Sequence, residues 1–255
     1  MDLQLKGKNA VVLGGTRGIG RAIADTLADE GANVALCARN ADQVKEAAAA
    51  LGAKGVKSFG ATADMADGAS LKAFVAKAGE TLGGIDILVS NASALDMGMS
   101  EQAWKHGLEI DVLGAVNAVE AAQPFLEKAA AKGDASIVFI SSVSAAEARS
   151  AQSYGAIKAA LIHYGKGLAR QLAGKKIRVN VVSPGTIYFK GGVWHMVEQN
   201  MPDMYKATLA GNPLGRMGSP QEIANTAVFL SSPRSSFTTG ANVIVDGGIT
   251  QRVNF

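Results

Sequence analysis

The sequence predicts an α/β protein, a doubly wound parallel sheet of about seven strands with helices on both faces. Two observations carry that prediction. Short β-rich runs alternate along the whole chain with longer Ala- and Leu-rich segments of helical period, the pattern of βαβ units. The runs Ala10-Val11-Val12-Leu13 and Ile137-Val138-Phe139-Ile140 are apolar throughout, as strands buried on both faces are. Composition agrees, because 48% hydrophobic residues and 30 glycines among 255 residues, with few aromatics, suit Ala-packed helices joined to strands by tight turns. No Pro/Ser-rich linker or charge block breaks the alternation, so residues 1–255 are expected to form a single domain with one substantial core.

The first strand, Asn9 to Leu13, runs into Gly14-Gly15-Thr16-Arg17-Gly18-Ile19-Gly20-Arg21 and then a helical run from Ala22 to Glu30. Glycines 14, 18 and 20 permit a tight turn, close approach of backbone to a phosphate, and close helix-on-strand packing, with the helix amino end facing the anion. The spacing is G-x-x-x-G-x-G, with Ile23 where the third glycine of G-x-G-x-x-G would fall. The alternative is a purely structural turn, and the strand-turn-helix context favours a dinucleotide cradle. The second strand, Asn33 to Ala38, ends in Arg39-Asn40 with no carboxylate. An acid there would hold a ribose 2′-hydroxyl, whereas arginine accommodates a 2′-phosphate. Each of Arg17 and Arg39 alone is an ordinary surface residue; the two together favour NADP, with NAD still possible. The single cysteine, Cys37, lies within an apolar run and reads as a small buried hydrophobe in a reducing compartment.

The remaining strands are expected at Val56 to Ala61, Ile85 to Ser90, Ser136 to Ser141, Ile177 to Ser183 and Asn242 to Val245, with long Ala-rich helical segments from Ser100 to Ala131 and Ala151 to Ala173. The second of these segments carries Tyr154 and Lys158, which share a helix face at i and i+4. A free tyrosine titrates near pH ~10 and a neighbouring cation favours the phenolate, which suits acid/base work. The spacing alone is weak, since chance supplies such a pair in roughly every second chain of this length. After the sixth strand, Thr186 to Arg216 departs from the βα rhythm with Tyr188, Phe189, Trp194, Met196, Met201, Met204 and Tyr205 around Gly191-Gly192. Ligands bind beyond the carboxyl ends of parallel strands, so residues 186–216 are expected to be a lid over an apolar substrate; the alternative is a pair of ordinary amphipathic helices.

The net charge of +3 is small and the cations are scattered, which argues against a nucleic-acid surface or a membrane-binding face. The first residues lack the apolar stretch of a signal peptide, and no run of about 18 apolar residues exists to span a bilayer, so a soluble cytoplasmic protein is expected. No metal is expected.

Together these landmarks resemble the classical short-chain dehydrogenase/reductase family over nearly the whole chain. They are the glycine turn, Asp64 after the third strand, Asn91-Ala92 after the fourth, Ser141-Ser142 after the fifth, Tyr154-x-x-x-Lys158, Asn180 with Pro184-Gly185 around the sixth, and the tail from Pro213-Leu214-Gly215-Arg216-Met217-Gly218 through Asp246-Gly247-Gly248. The resemblance implies a Rossmann-type fold and hydride transfer between a nicotinamide cofactor, for which the two arginines favour NADP, and a secondary alcohol or ketone, and the aromatic and methionine-rich stretch favours an apolar or ring-containing one. It implies Tyr154 as general acid or base, Lys158 as the group that lowers the phenol's proton affinity and bonds the nicotinamide ribose, and Ser142 as a hydrogen-bond partner of the substrate oxygen. Ser141 also stands at a family spacing, and Val143 after Ser142 favours the latter. The implied cofactor contacts are Gly14, Thr16, Arg17, Gly18, Ile19, Gly20 and Arg39, with Asp64 and Met65 at the adenine, Asn91 and Ala92 beside the nucleotide, and Pro184, Gly185, Thr186 and Ile187 along the nicotinamide. Asp64 alternatively caps the helical segment that starts at Asp67.

Four positions depart from the family pattern: Leu13 for threonine, Ser93 for glycine, Tyr188 where a threonine contact to the carboxamide is expected, and Asp111 for the asparagine of the proton relay. Asp111 keeps the acceptor oxygens but loses the amide donor and adds a charge near Lys158. Asp111 and Tyr188 support the alternative, an NADP(H)-binding protein of the same fold with little turnover. The family further implies a homotetramer or homodimer built on the two long helices.

Overall fold

The computed structural model describes residues 1–148 and 150–253. The strands are β1 (Asn9–Leu13), β2 (Asn33–Ala38), β3 (Ser58–Thr62), β4 (Ile87–Ser90), β5 (Ala135–Ile140), β6 (Ile177–Pro184) and β7 (Asn242–Val245). They form one sheet in the order β3-β2-β1-β4-β5-β6-β7, parallel at every pairing. From β1 the chain builds outward to one side and then returns to build from β4 to the other. The order therefore reverses between β1 and β4, where Ala10 pairs with both Val34 and Ile87. The loops leaving Leu13 and Ser90, which are register partners, diverge there and open the crevice in which such sheets take ligands.

The helices are α1 (Gly18–Asp29), α2 (Ala41–Gly52), α3 (Gly68–Leu82), α4 (Glu101–Gly107), α5 (Gly114–Ala130), α6 (Ser153–Leu172), α7 (Val193–Asn200), α8 (Pro202–Ala210) and α9 (Pro220–Ser231). Alternation along β1 divides the core in two: Val11 and Leu13 pack with α3, α5 and α6 on one face, while Ala10 and Val12 pack with α1, α2 and α9 on the other. Truncating a fully buried leucine such as Leu13 or Leu88 would cost about 2–5 kcal/mol.

Most expected boundaries fall within two residues of the observed ones, but two differences have physical causes. α1 begins at Gly18 rather than Ala22, because the glycine turn winds directly into the helix. The segment from Ser100 to Ala131 is not one uniform helix: residues Leu108–Leu113 form a π-helical turn between α4 and α5. That turn carries Asp111.

Candidate active site

The glycine turn is fastened at both ends. Gly14, at φ +70°, and Gly15 donate their N–H groups to Cys37 O at 3.0 and 3.3 Å. A Cβ on Gly20 would lie 2.2 Å from Gly14 O and 2.3 Å from Asn91 Nδ2, so only glycine lets α1 sit this close to the turn. Asn91 Nδ2 donates to Gly14 O at 3.0 Å and so ties the turn to the end of β4. At the amino end of α1, Arg17 provides no side-chain cap and the first turn holds no acid. Its free N–H groups and positive dipole end suit a diphosphate. Arg17 and Arg39 are exposed, and among the described residues neither guanidinium has a hydrogen bond or ion pair. Cys37 lies beneath the turn, where burial pushes its thiol up to about 12, as expected of an inert packing residue.

Asp64 does not cap α3. Its Oδ1 accepts from Ala66 N at 3.0 Å in a local turn, and Asp67 is the cap, accepting from Ala69 N and Ser70 N at 3.0 and 3.1 Å. Met65 is buried against Gly114, where a Cβ would come within 2.7 Å of its Cε.

On the far side of the crevice, Lys158 and Asp111 form an ion pair at 2.9 Å with each side chain 2% exposed. Lys158 Nζ also donates to Ile140 O at 3.0 Å, and Asp111 Oδ2 accepts from Ala94 N at 2.8 Å. The approach of Nζ to Asp111 Oδ1 is out of line for a hydrogen bond, so this oxygen is held by charge alone. Lys158 Nζ lies 5.7 Å from the centre of the Tyr154 ring. Gly155 lets α6 abut the 3-10 turn Val143–Ala145, since a Cβ there would lie 2.6 Å from Ser144 O. Ser153 fixes the amino end of α6, donating its N–H to Gly98 O at 3.0 Å and its hydroxyl to Asp96 O at 2.9 Å.

The two serines divide cleanly. Ser141 Oγ donates to Lys158 O at 2.9 Å and is engaged in holding α6. Ser142 Oγ accepts from Ser144 N at 3.1 Å, which orients the hydroxyl and leaves its proton to donate.

At the end of β6, Gly185 packs so closely on Asp246 that a Cβ would meet Asp246 Cβ at 2.6 Å. Thr186 Oγ1 is buried without a hydrogen-bond partner. Ile187 bridges to Gly218, and Tyr188 N donates to Gly218 O at 2.8 Å. The Tyr188 hydroxyl donates to Glu198, which pushes the phenol up to about 12, and the ring meets His195 and Tyr205 edge-on with centroids 6.1 Å apart in each case. Its polar end is therefore committed to α7. The orphaned Thr186 hydroxyl is the better-suited group for an amide partner. The uncapped amino end of α1, the flush glycines and this orphaned hydroxyl fit a nicotinamide dinucleotide.

Sequence reasoning did not single out Ser153, Gly155 or Ala94, nor the contact of Phe189 with Gly18. Their importance lies in backbone contacts, and the close-packed glycine inside Tyr154-Gly155-Ala156-Ile157-Lys158 was the one readable signal.

A parallel sheet with a glycine-rich cradle at its switch point and a tyrosine above a buried lysine defines an oxidoreductase of the Rossmann type. A family model described as enoyl-(acyl carrier protein) reductase matches residues 14–250. Isoepoxydon dehydrogenase patN of Penicillium expansum is 38% identical over 250 residues, covering 96% of this chain and 95% of that protein. Among solved structures, L-sorbose reductase from Gluconobacter frateurii, complexed with NADPH and L-sorbose, is similar at a TM-score of 0.89 and 32% identity over 99% of this chain and 100% of that one. An NADPH-bound short chain oxidoreductase from Pseudomonas aeruginosa PAO1 containing an atypical catalytic center matches at a TM-score of 0.88 and 31% identity, covering 97% and 99% of the two chains. The chain belongs to the short-chain dehydrogenase/reductase family, oxidoreductases that act on CH–OH groups with NAD(P). The named relatives are enzymes, which disfavours a binding protein without turnover. Among the described residues no helix is long and apolar enough to cross a membrane.

Proposed function

We propose that the protein is a cytoplasmic NADP-dependent oxidoreductase that interconverts a secondary alcohol and its ketone, with an apolar or ring-containing substrate. The observation that carries the reading is the Lys158 ammonium, fixed between Asp111 and Ile140 O and set 5.7 Å from the Tyr154 ring. Two unpaired arginines, Arg17 in the glycine turn and Arg39 just after β2, support NADP because cations there would suit an adenosine 2′-phosphate, and solved relatives bound to NADPH support it too. Gly14, Thr16, Arg17, Gly18, Ile19 and Gly20 would hold the diphosphate, Asp64 and Met65 the adenine, and Asn91, Ala92, Pro184, Gly185, Thr186 and Ile187 the nicotinamide half. When bound, the nicotinamide supplies or accepts the hydride.

In reduction, Tyr154 gives its phenolic proton to the substrate oxygen, and in oxidation it takes that proton back. The Lys158 cation stabilises the negative charge left on Tyr154, and Asp111 fixes that cation in place. Ser142 donates a hydrogen bond to the substrate oxygen where charge develops. Residues 186–216 form a lid, whose exposed Met196, Met201 and Met204 offer adaptable apolar contact. An apolar groove lined by Trp104, Leu108, Ala156, Ile157 and Ala160, with Trp104 and Leu108 at least 40% exposed, supports a homodimer or homotetramer joined across α4 and α6. A panel of cyclic and acyclic ketones, mixed with NADPH while absorbance of the reduced nicotinamide is followed, tests the reading. Consumption that requires Tyr154 is expected, and binding of NADPH with no consumption across the panel would overturn it.

A further inference from the structure

Four glycines of the nucleotide turn face protein, but not the same kind of protein. Gly14 and Gly20 face Ala92 and the Gly14 carbonyl, and Gly15 faces Leu36, all parts of the fixed framework. Gly18 faces a side chain from the segment after β6: a Cβ there would lie 2.5 Å from Phe189 Cζ and 2.9 Å from Cε2. The same phenyl ring stands against Gly192, where a Cβ would lie 2.7 Å from Phe189 Cε1. Phe189 is thus held between two residues that have no side chain, one at the amino end of α1 and one just before α7. A turn closes the arrangement, with Gly192 N donating to Phe189 O at 2.9 Å and Gly191 at φ +80°.

A diphosphate at such a turn makes direct contact with the glycine backbone at the helix amino end. The Phe189 ring packs against the side of Gly18 from which a Cβ would project, next to that backbone, and a diphosphate seated there competes with the ring for space. We propose that Phe189 is a latch that joins the 186–216 segment to the cofactor turn: the ring rests on Gly18 when the segment is down, and it leaves when a diphosphate seats. Cofactor affinity and segment position are then one equilibrium. The apparent affinity is lowered by the fraction of molecules with the ring down, so a ten-to-one preference for that arrangement weakens cofactor binding by about tenfold. The inference rests on the reading of the glycine turn as the NADP site.

The test is titration of the full chain with NADPH by nicotinamide fluorescence, for the natural protein, Phe189→Ala and Phe189→Leu, with thermal melting to verify folding. Tryptic cleavage after exposed Lys190, beside the ring, reports the segment directly. Phe189→Ala is expected to tighten NADPH binding by about five- to tenfold, with Phe189→Leu in between. NADPH is expected to speed cleavage after Lys190 in the natural protein and to leave Phe189→Ala, already fast, unchanged. NADPH binding that is unchanged or weaker in both folded variants would overturn the latch while leaving the cofactor reading intact. Failure of the natural protein to bind NADPH or NADH would overturn both.

Discussion

Lys158 and Asp111 pair at 2.9 Å deep in the protein, and a π-helical turn brings the carboxylate to the ammonium. Breaking one member of a buried pair leaves an uncompensated charge, at a cost of about 3–5 kcal/mol. Asp111→Ala is therefore expected to lower stability by about that amount and to lower kcat at least tenfold, because Lys158 loses the group that fixes it. Asp111→Asn keeps an acceptor for Ala94 N and should fall between. Urea unfolding and steady-state kinetics on both variants check this.

Tyr154→Phe removes the hydroxyl and keeps the ring. Loss of a general acid costs about 10²–10⁴ in rate, so kcat is expected to fall into that range while the dissociation constant for NADPH stays within about twofold. An equal loss of affinity would place the hydroxyl in binding rather than in proton transfer.

Gly20→Ala puts a methyl group 2.2 Å from Gly14 O, a backbone atom that cannot swing away. Forced overpacking of this kind costs about 1–3 kcal/mol, and here it also displaces the turn. A lowered melting temperature together with weakened NADPH binding is expected from calorimetry and fluorescence titration.

Arg39→Ala and Arg17→Ala each remove one unpaired guanidinium. A hydrogen bond to a charged group contributes about 1.5–3 kcal/mol, so each substitution is expected to weaken NADPH about tenfold or more and NADH far less. Equal losses for the two nucleotides would exclude a 2′-phosphate contact.

Arg216 grips Glu222 through Nη1 to Oε2 at 2.9 Å and Nη2 to Oε1 at 2.7 Å, and Ser219 N donates to Oε2 at 2.8 Å. The arginine, helped by this capping box, holds the Glu222 carboxyl down to about 2 from its ordinary 4.5. A depressed folded value means stability that is full above the unfolded value and lost as pH falls from 4.5 towards about 2. The pair is partly exposed, so the effect is small. The melting-temperature gap between the natural protein and Glu222→Gln is expected to narrow as pH is lowered through that window.

Much of this fold was legible because parallel strands buried on both faces have little choice of residue. Ala10-Val11-Val12-Leu13 and Asn33 to Ala38 announce β1 and β2 directly, and the structure keeps both boundaries. Of the candidate site, helical spacing announced that Tyr154 and Lys158 would lie side by side, and the glycine pattern announced the close packing at Gly20. Val143 pointed to Ser142 over Ser141, but the physical ground of that difference was not legible, because it depends on which hydroxyl the Lys158 carbonyl engages. Nor was the cap of α3: Asp64 and Asp67 are chemically alike, and only backbone geometry makes Asp67 the acceptor for Ala69 and Ser70. The π turn was equally hidden, since Leu108 to Leu113 has the composition of ordinary helix.

A π turn accommodates about one residue more than an α-helical turn, which shifts the phase of the helix beyond it by about 100° relative to the part before. Along this stretch Trp104 and Leu108 stay turned outward while Asp111 is turned to the interior. One continuous span of chain thereby serves two clients on different bearings, an outer apolar groove and an inner charged pair, without a loop between them. The exposed pair Trp104 and Leu108 and the carboxylate beside Lys158 are therefore carried on one unbroken helical span, with the π turn setting their separate bearings.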